Sequence, residues 1–307
     1  MSSSGRGEKK GHANPGASAD TNVEAVAFLR AKPSASPSLS LEQMTAMAKK
    51  LRRHIVAMTG RAGSGHPGGS LSAVEIVTAL YFKVLRHDPA NPRWEDRDRF
   101  ILSKGHSAPL LYAVLAERGY FPIAELTTLR KLDSCLQGHC DMTATPGVEM
   151  SSGSLGQGLS FGIGMALAGR LDDKDYRVYV LLGDGECDEG QVWEAAMASA
   201  HYKLDNLMAI VDHNRQQLDG WNCDIMNLEP LAEKWKAFGW HTIEVDGHDL
   251  AQLLLAFKEA KQVKGKPTAI IAYTIKGKGV SFMENNPDFH GKAPTPTEVE
   301  KALEELK

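Results

Sequence analysis

The chain has 307 residues, 42% of them hydrophobic, and a formal net charge of −3. That leaves room for one large α/β domain or two small ones with an ample core. The mild negative balance argues against nucleic acid or an anionic membrane as partner. Cys135, Cys140, Cys187 and Cys223 follow no disulfide-framework spacing, so a reducing, cytoplasmic compartment is expected.

Residues 1–40 are rich in Ser, Gly, Ala and Pro and are expected to form a disordered extension, with room for a short helix over 23–30. The apolar run at 23–29 is short and contains Glu24, so it does not read as a signal peptide. No stretch approaches the ~20 apolar residues of a membrane helix. A single domain is expected over 41–307. It opens with a helix to about residue 61, for which Ser40 and Gln43 supply a capping box and Leu39 and Met44 a hydrophobic staple. Met44, Ala48, Leu51, Ile55 and Met58 form its apolar stripe.

A glycine-rich turn at 63–69 leads to a helix over 71–85. Residues 99–102 read as a strand ending in Ser103-Lys104-Gly105-His106. Helices are expected over 108–118 and 123–132. Cys135, His139 and Cys140 have zinc-ligand chemistry, but no matching pair follows at finger spacing, so zinc is not expected. Residues 152–158 then open a helix to about 170. Its five glycines make it a poor helix by propensity, which suggests close packing against another helix, across a subunit interface for instance; the alternative is a flexible, loop-rich segment.

Residues 178–182 are a short apolar run, read as a buried strand, broken by Gly183-Asp184-Gly185. Trp193, Met197, Ala200 and Leu204 recur at helical spacing, and a second apolar run at 207–211 ends in Asp212-His213-Asn214. This is a strand–helix–strand unit of a parallel sheet. Further on, helices are expected over 230–238, 250–263 and 297–306, and strands over 240–245 and 268–275. About five strands alternate with helices. The fold class is therefore α/β, a doubly wound, mainly parallel sheet with helices on both faces.

Asp184 and Asn214 follow the ends of successive strands. If these strands are neighbours, a carboxylate and an amide oxygen meet at the carboxyl edge of the sheet, where open α/β sheets bind ligands. Two hard oxygen donors suit Mg²⁺ or Ca²⁺, and the flanking glycines let backbone N–H groups approach a phosphate. Taken alone, Gly-Asp-Gly is more often a turn with a surface carboxylate; Asn214, thirty residues on, shifts the balance. His66, His106, His139, His248 and His290 each lie beside a glycine in a loop. Singly these are ordinary solvated turn residues. If they converge, they could donate hydrogen bonds and shuttle protons near neutral pH.

The segment from Gly183 to Asn214, with Glu189-Gly190-Gln191-Val192-Trp193 between, resembles the thiamine-diphosphate motif of transketolases. The motifs around His66, His106, His139, Gly153 and His290 match the same family in order, over about residues 41–296. The resemblance implies the thiamine-diphosphate-binding fold. It also implies a metal, Mg²⁺ or else Ca²⁺ or Mn²⁺, held by Asp184, Asn214 and the backbone carbonyl of Gln216. By the same resemblance, His66 and His290 assist proton movement at the reacting sugar carbon, His106 and His290 touch the diphosphate, and His139 bonds the donor sugar's terminal hydroxyl. Gly153 and Leu155 line the aminopyrimidine, Gly185 gives its N–H to the diphosphate, and Glu189 joins a network linking cofactor sites across a dimer. His248 receives no role.

Cys140 and Ser154 replace prolines frequent in the family, loosening two loops slightly. The resemblance covers only the diphosphate-binding domain, so the expectation is the N-terminal subunit of a split transketolase. A C-terminal subunit would carry the pyrimidine-binding domain and the arginines for the sugar phosphate, in a dimer of heterodimers. The expected reaction transfers a two-carbon ketol unit from a ketose to an aldose. Half of a deoxyxylulose-phosphate synthase or 2-oxo acid dehydrogenase, or a non-catalytic cofactor-binding protein, are the competing readings.

Overall fold

A computed structural model describes residues 39–307. Its frame is a five-stranded, all-parallel sheet in the order β1-β2-β3-β7-β6. The strands are β1 (Arg99–Leu102), β2 (Val178–Gly183), β3 (Leu207–His213), β6 (His241–Asp246) and β7 (Thr268–Tyr273). A small antiparallel hairpin, β4 (Gln216–Gln217) with β5 (Gly220–Trp221), follows β3 directly. Alternation along the strands divides the apolar side chains between two cores. Tyr179, Leu181, Met208, Ile210 and Ile270 pack with α1 (Leu41–Ala62), α3 (Val74–Ala79), α4 (Ala108–Arg118), α9 (Leu250–Ala260) and α10 (Pro296–Glu305). Val178, Val180, Leu182, Ala209 and Val211 pack with α5 (Gly158–Leu171), α6 (Gly190–His201) and α8 (Leu231–Ala237). The sheet is doubly wound, as the alternation of elements in the sequence led us to expect.

The first helix starts where its cap signals place it. Ser40 Oγ accepts from Gln43 N, and the Gln43 side chain accepts from Ser40 N at 2.8 Å. The helix expected over 71–85 is instead α2 (Pro67–Ser72), α3 and a π turn (Leu80–Val84). Ser70 and Ser72 donate back to the carbonyls of His66 and Gly69, a side-chain competition that bends helices. The expected helix over 123–132 shrinks to a 3₁₀ segment, Ile123–Thr128. Thr128 Oγ1 turns back onto the Glu125 carbonyl and Ser134, and Arg130 and Asp133 adopt positive φ.

In α6 the buried face is Val192, Ala195, Ala196 and Ser199. Met197 is 61% exposed and Leu204 lies beyond the helix, so the 193/197/200/204 stripe was one position out of phase. β3 runs on through Asp212 and His213, which pair with Ala272 and Tyr273 of β7. Their polarity reads as a strand end in sequence; burial against charged partners lets the strand continue. β7 and α9 stop two and three residues short of expectation, at Tyr273 and Ala260. The short helix α7 (Asn222–Ile225) and the β4–β5 hairpin carry no periodicity by which to anticipate them. The disordered-extension reading, except for its last two residues, falls outside the described residues. No helix among the described residues is long and apolar enough to cross a membrane.

Candidate active site

The ends of β1, β2, β3 and β7 carry the polar residues, and each is held by the register of its strand. Gly183 pairs with Asp212 across β2 and β3, which sets Asp184 beside the segment that follows β3. The Asp184 carboxylate accepts from the N–H groups of Gly185 and Arg215 and lies 3.0 Å from His213 Nδ1. Asn214 Oδ1 accepts from Gln216 N at 3.1 Å. The carboxylate and the amide oxygen are thus brought to one edge, as the spacing required. His213 Nε2 meets Glu229 at 2.7 Å. Burial opposes its charged form, but Asp184 and Glu229 outweigh burial and raise its pKa above the usual histidine value.

One residue deeper, Asp212 is fully buried and takes hydrogen bonds from Lys104 Nζ, Ser72 Oγ and Thr274 Oγ1. Burial alone would raise its pKa; the Lys104 ammonium holds it below the usual carboxylate value. Lys104 also donates to the Gly69 carbonyl at 3.0 Å. Beside β2, Glu186 is 2% exposed and accepts from Gly156 N and Gly183 N, each at 2.9 Å, and from Ser103 Oγ. This one carboxylate ties together the loops after β1, before α5 and after β2.

Four of the loop histidines converge. The His66 ring centroid lies 5.4 Å from that of His106, 6.1 Å from His139 and 5.7 Å from His290, and His106 and His290 stack at 5.1 Å. The loops meet closely enough to demand glycine. A Cβ on Gly105 would lie 2.7 Å from Gly153 N, and one on Gly68 would lie 2.8 Å from the Phe289 carbonyl. Burial, followed by the fields of Arg130 and neighbouring cations, lowers His66 to about 4. Burial and the Lys276 charge lower His290 to about 3, and burial with Lys104 holds His106 well below its usual value. His139, the most open of the four, is lowered by burial and by Arg130. The cluster is one of neutral imidazoles at pH 7.

Lys276 joins the two groups. It is 2% exposed, 2.7 Å from His290 Nδ1 and 3.3 Å from the Gln217 carbonyl. Among the described residues no carboxylate forms an ion pair with it. Buried polar atoms without hydrogen-bond partners among the described residues include His66 Nδ1, both side-chain polar atoms of Gln216, Gln217 Nε2 and the Asn222 amide. A Cβ on Gly185 would sit 2.8 Å from Gln217 Cβ and 3.5 Å from Asn222 Oδ1, which places the Gln217 and Asn222 side chains beside the glycine-aspartate turn. An ammonium with no carboxylate ion pair among the described residues, together with unspent amide donors, fits a phosphorylated anion.

The sequence reading had not selected Lys104, Asp212, Glu186, Lys276, Gln217 or Asn222. Only the lysines carried a signal, each following a strand in a glycine-containing loop. Glu189 is exposed at the N-terminus of α6, its Cβ against Gly156, and Leu155 lies in the turn before α5. Gly185 N–H is engaged by its neighbour Asp184. His248 is more than a turn residue, since its Nε2 accepts Ile275 N–H and its Nδ1 meets Glu75.

Residues 43–306 match the family model of the transketolase, thiamine diphosphate binding domain. The chain belongs to that family. It is 48% identical over 259 residues to the 6-deoxy-6-sulfo-D-fructose transketolase subunit SqwG of Clostridium sp. (strain MSTE9), covering 84% of this chain and 94% of that one. Against one of the subunits of the apulose-4-phosphate transketolase of Actinobacillus succinogenes it is 46% identical, covering 88% and 98%. The solved transketolase of Campylobacter jejuni superposes with a TM-score of 0.82 at 32% identity, covering 87% of this chain but only 43% of that one. The coverage is that of the N-terminal subunit of a split transketolase, a transferase subunit.

Proposed function

We propose that the chain binds thiamine diphosphate with a divalent metal and, together with a separate C-terminal subunit, transfers a two-carbon ketol unit from a ketose to an aldose. The observation that carries this reading is the convergence of His66, His106, His139 and His290 above strand ends that bear Asp184 and Asn214. When bound, thiamine diphosphate supplies the carbanion chemistry. Asp184, the Asn214 side-chain oxygen and the Gln216 carbonyl would hold Mg²⁺, a set of one carboxylate and two neutral oxygens that leaves room for diphosphate oxygens. Among the described residues no three His, Cys, Asp or Glu side chains group as metal ligands, so this mixed set is the candidate. His106 and Lys276 would meet the diphosphate, as would the Gly185 N–H on leaving Asp184 Oδ1, to which it donates at 2.8 Å in this structure, and Gly153 and Leu155 would meet the aminopyrimidine.

Neutral imidazoles suit the remaining work. A free neutral imidazole can give a hydrogen bond from one nitrogen and accept a proton at the other, so His66 would steady a sugar oxygen while protons move, His290, its Nδ1 facing Lys276, would assist from its other nitrogen, and His139 would hold the terminal hydroxyl. Glu189, on the exposed start of α6, would take part in contact between cofactor sites of a dimer of heterodimers. The names of the related enzymes support sugar substrates carrying an anionic group, a phosphate in one case and a sulfonate in the other. The four free cysteines support a reducing, cytoplasmic setting.

The test is a ketol-transfer assay with thiamine diphosphate and Mg²⁺, on the chain alone and on the chain mixed with a subunit carrying the pyrimidine-binding domain. Activity confined to the mixture is expected. Activity in the chain alone would overturn the requirement for a partner, and turnover of a 2-oxo acid without ketol transfer would favour the dehydrogenase reading.

A further inference from the structure

We propose that Lys276 is a positioning residue whose ammonium donates to Nδ1 of His290 and so fixes that ring as the Nε2–H tautomer. A lysine ammonium has three donors and no acceptor. At 2.7 Å from Nδ1, it requires a lone pair on that nitrogen, and the ring proton must then sit on Nε2. The alternative, an Nδ1–H directed at an N–H, leaves two buried donors facing each other.

Three observations support the assignment. Lys276 is fixed at its other side by the Gln217 carbonyl and has no carboxylate ion pair among the described residues, so the imidazole is one of the two acceptors it has. Burial and the repulsion of Lys104 lower Lys276 only to about 8, which leaves it mostly charged at pH 7, while His290 is neutral. His248 follows the same rule in mirror image: its Nε2 accepts a backbone N–H at 2.9 Å, which puts the proton on Nδ1, 3.0 Å from Glu75.

For His290 the consequence is a fixed donor at Nε2, at the ring that stacks on His106 and meets His66 edge-on. Its value for ketol transfer rests on the function proposed above; the tautomer itself does not. The experiment is a long-range proton–nitrogen correlation spectrum of the ¹⁵N-labelled full chain at pH 7, with His290→Gln to assign the ring. Such spectra distinguish the two neutral tautomers directly. The expected result is Nε2–H for His290 in the native chain and in Lys276→Arg, and loss of that preference in Lys276→Met. An Nδ1–H ring in the native chain would overturn the proposal, as would an unchanged Nε2–H ring in folded Lys276→Met. If Lys276→Met does not fold, the native spectrum decides. Failure of the ketol-transfer assay leaves this measurement intact.

Discussion

The ends of β1–β3 and the histidine cluster border one another, yet they solve burial in opposite ways. At the strand ends charge is retained and matched between Lys104 and Asp212, and the charged form of His213 is favoured by Asp184 and Glu229 on either side. In the histidine cluster charge is suppressed, and of the four rings only His290 has a hydrogen-bonded side-chain partner among the described residues. A matched, low-dielectric network is rigid, which suits an anchoring surface. Rings with open hydrogen-bonding positions suit a surface that must accept a changing ligand. Lys276 stands at the border, charged like one region and partnered by the other.

The largest effect should come from breaking the match. In Asp212→Ala the Lys104 ammonium is left buried without its carboxylate, a change that costs about 3–5 kcal/mol. Urea unfolding of the single variant and of Lys104→Met/Asp212→Leu tests this, because removing both charges should recover most of the loss. A double variant no more stable than Asp212→Ala would show that the pair is not what Asp212 supplies.

In the histidine cluster, substitution should spare the fold and lower the rate. His66→Gln is expected to reduce kcat of the two-subunit enzyme by about 10²–10⁴-fold, the usual range for a proton-handling side chain, while the unfolding free energy stays near that of the native chain. A fall in stability without a fall in kcat would assign His66 to the scaffold. Asp184→Ala tests the border between anchoring and chemistry. Even residues that merely orient metal ligands change metal affinity by about 10–100-fold, so Mg²⁺-dependent binding of thiamine diphosphate, read by calorimetry on the chain alone, should fall at least that far. Retained affinity would remove Asp184 from the metal set.

How much of this could be read from the residues depends on the kind of signal each feature leaves. The strand end at Gly183-Asp184 was legible because an apolar run stops there, and the first helix because a capping box opens it; the end of β3 was read two residues early, since its apolar run stops at Val211 while the strand continues to His213. Convergence of the histidines was not legible from the residues: nothing in the spacing of His66 and His290 says that their rings lie 5.7 Å apart. The resemblance supplied that expectation. Buried ion pairs were the systematic blind spot. Asp212 and Lys104 look like surface residues by type, and only the partner across the sheet edge makes their burial tolerable. The hydroxyl turn-backs of Ser70, Ser72 and Thr128 misled for a related reason, since a side chain that competes for its own backbone leaves the apolar pattern untouched.

The two regions should also respond to acid with opposite signs. His66 and His290 fall from an ordinary 6.5 to about 4 and about 3 in the native chain. Between those values and 6.5 the unfolded chain binds protons that the native chain refuses, so acidification below about pH 6.5 draws the equilibrium toward unfolding. His213 is raised, so its contribution is fully present below about 6.5 and is lost as the pH climbs through its native value. With several rings of the cluster against one anchoring ring, the cluster should dominate, and the unfolding free energy should decline from pH 7 to pH 5. His290→Gln should flatten that decline and His213→Gln should steepen it. Urea titrations at pH 5, 6 and 7 read both slopes, and two parallel lines for the native chain and His290→Gln would mean that the ring is not held neutral by its surroundings.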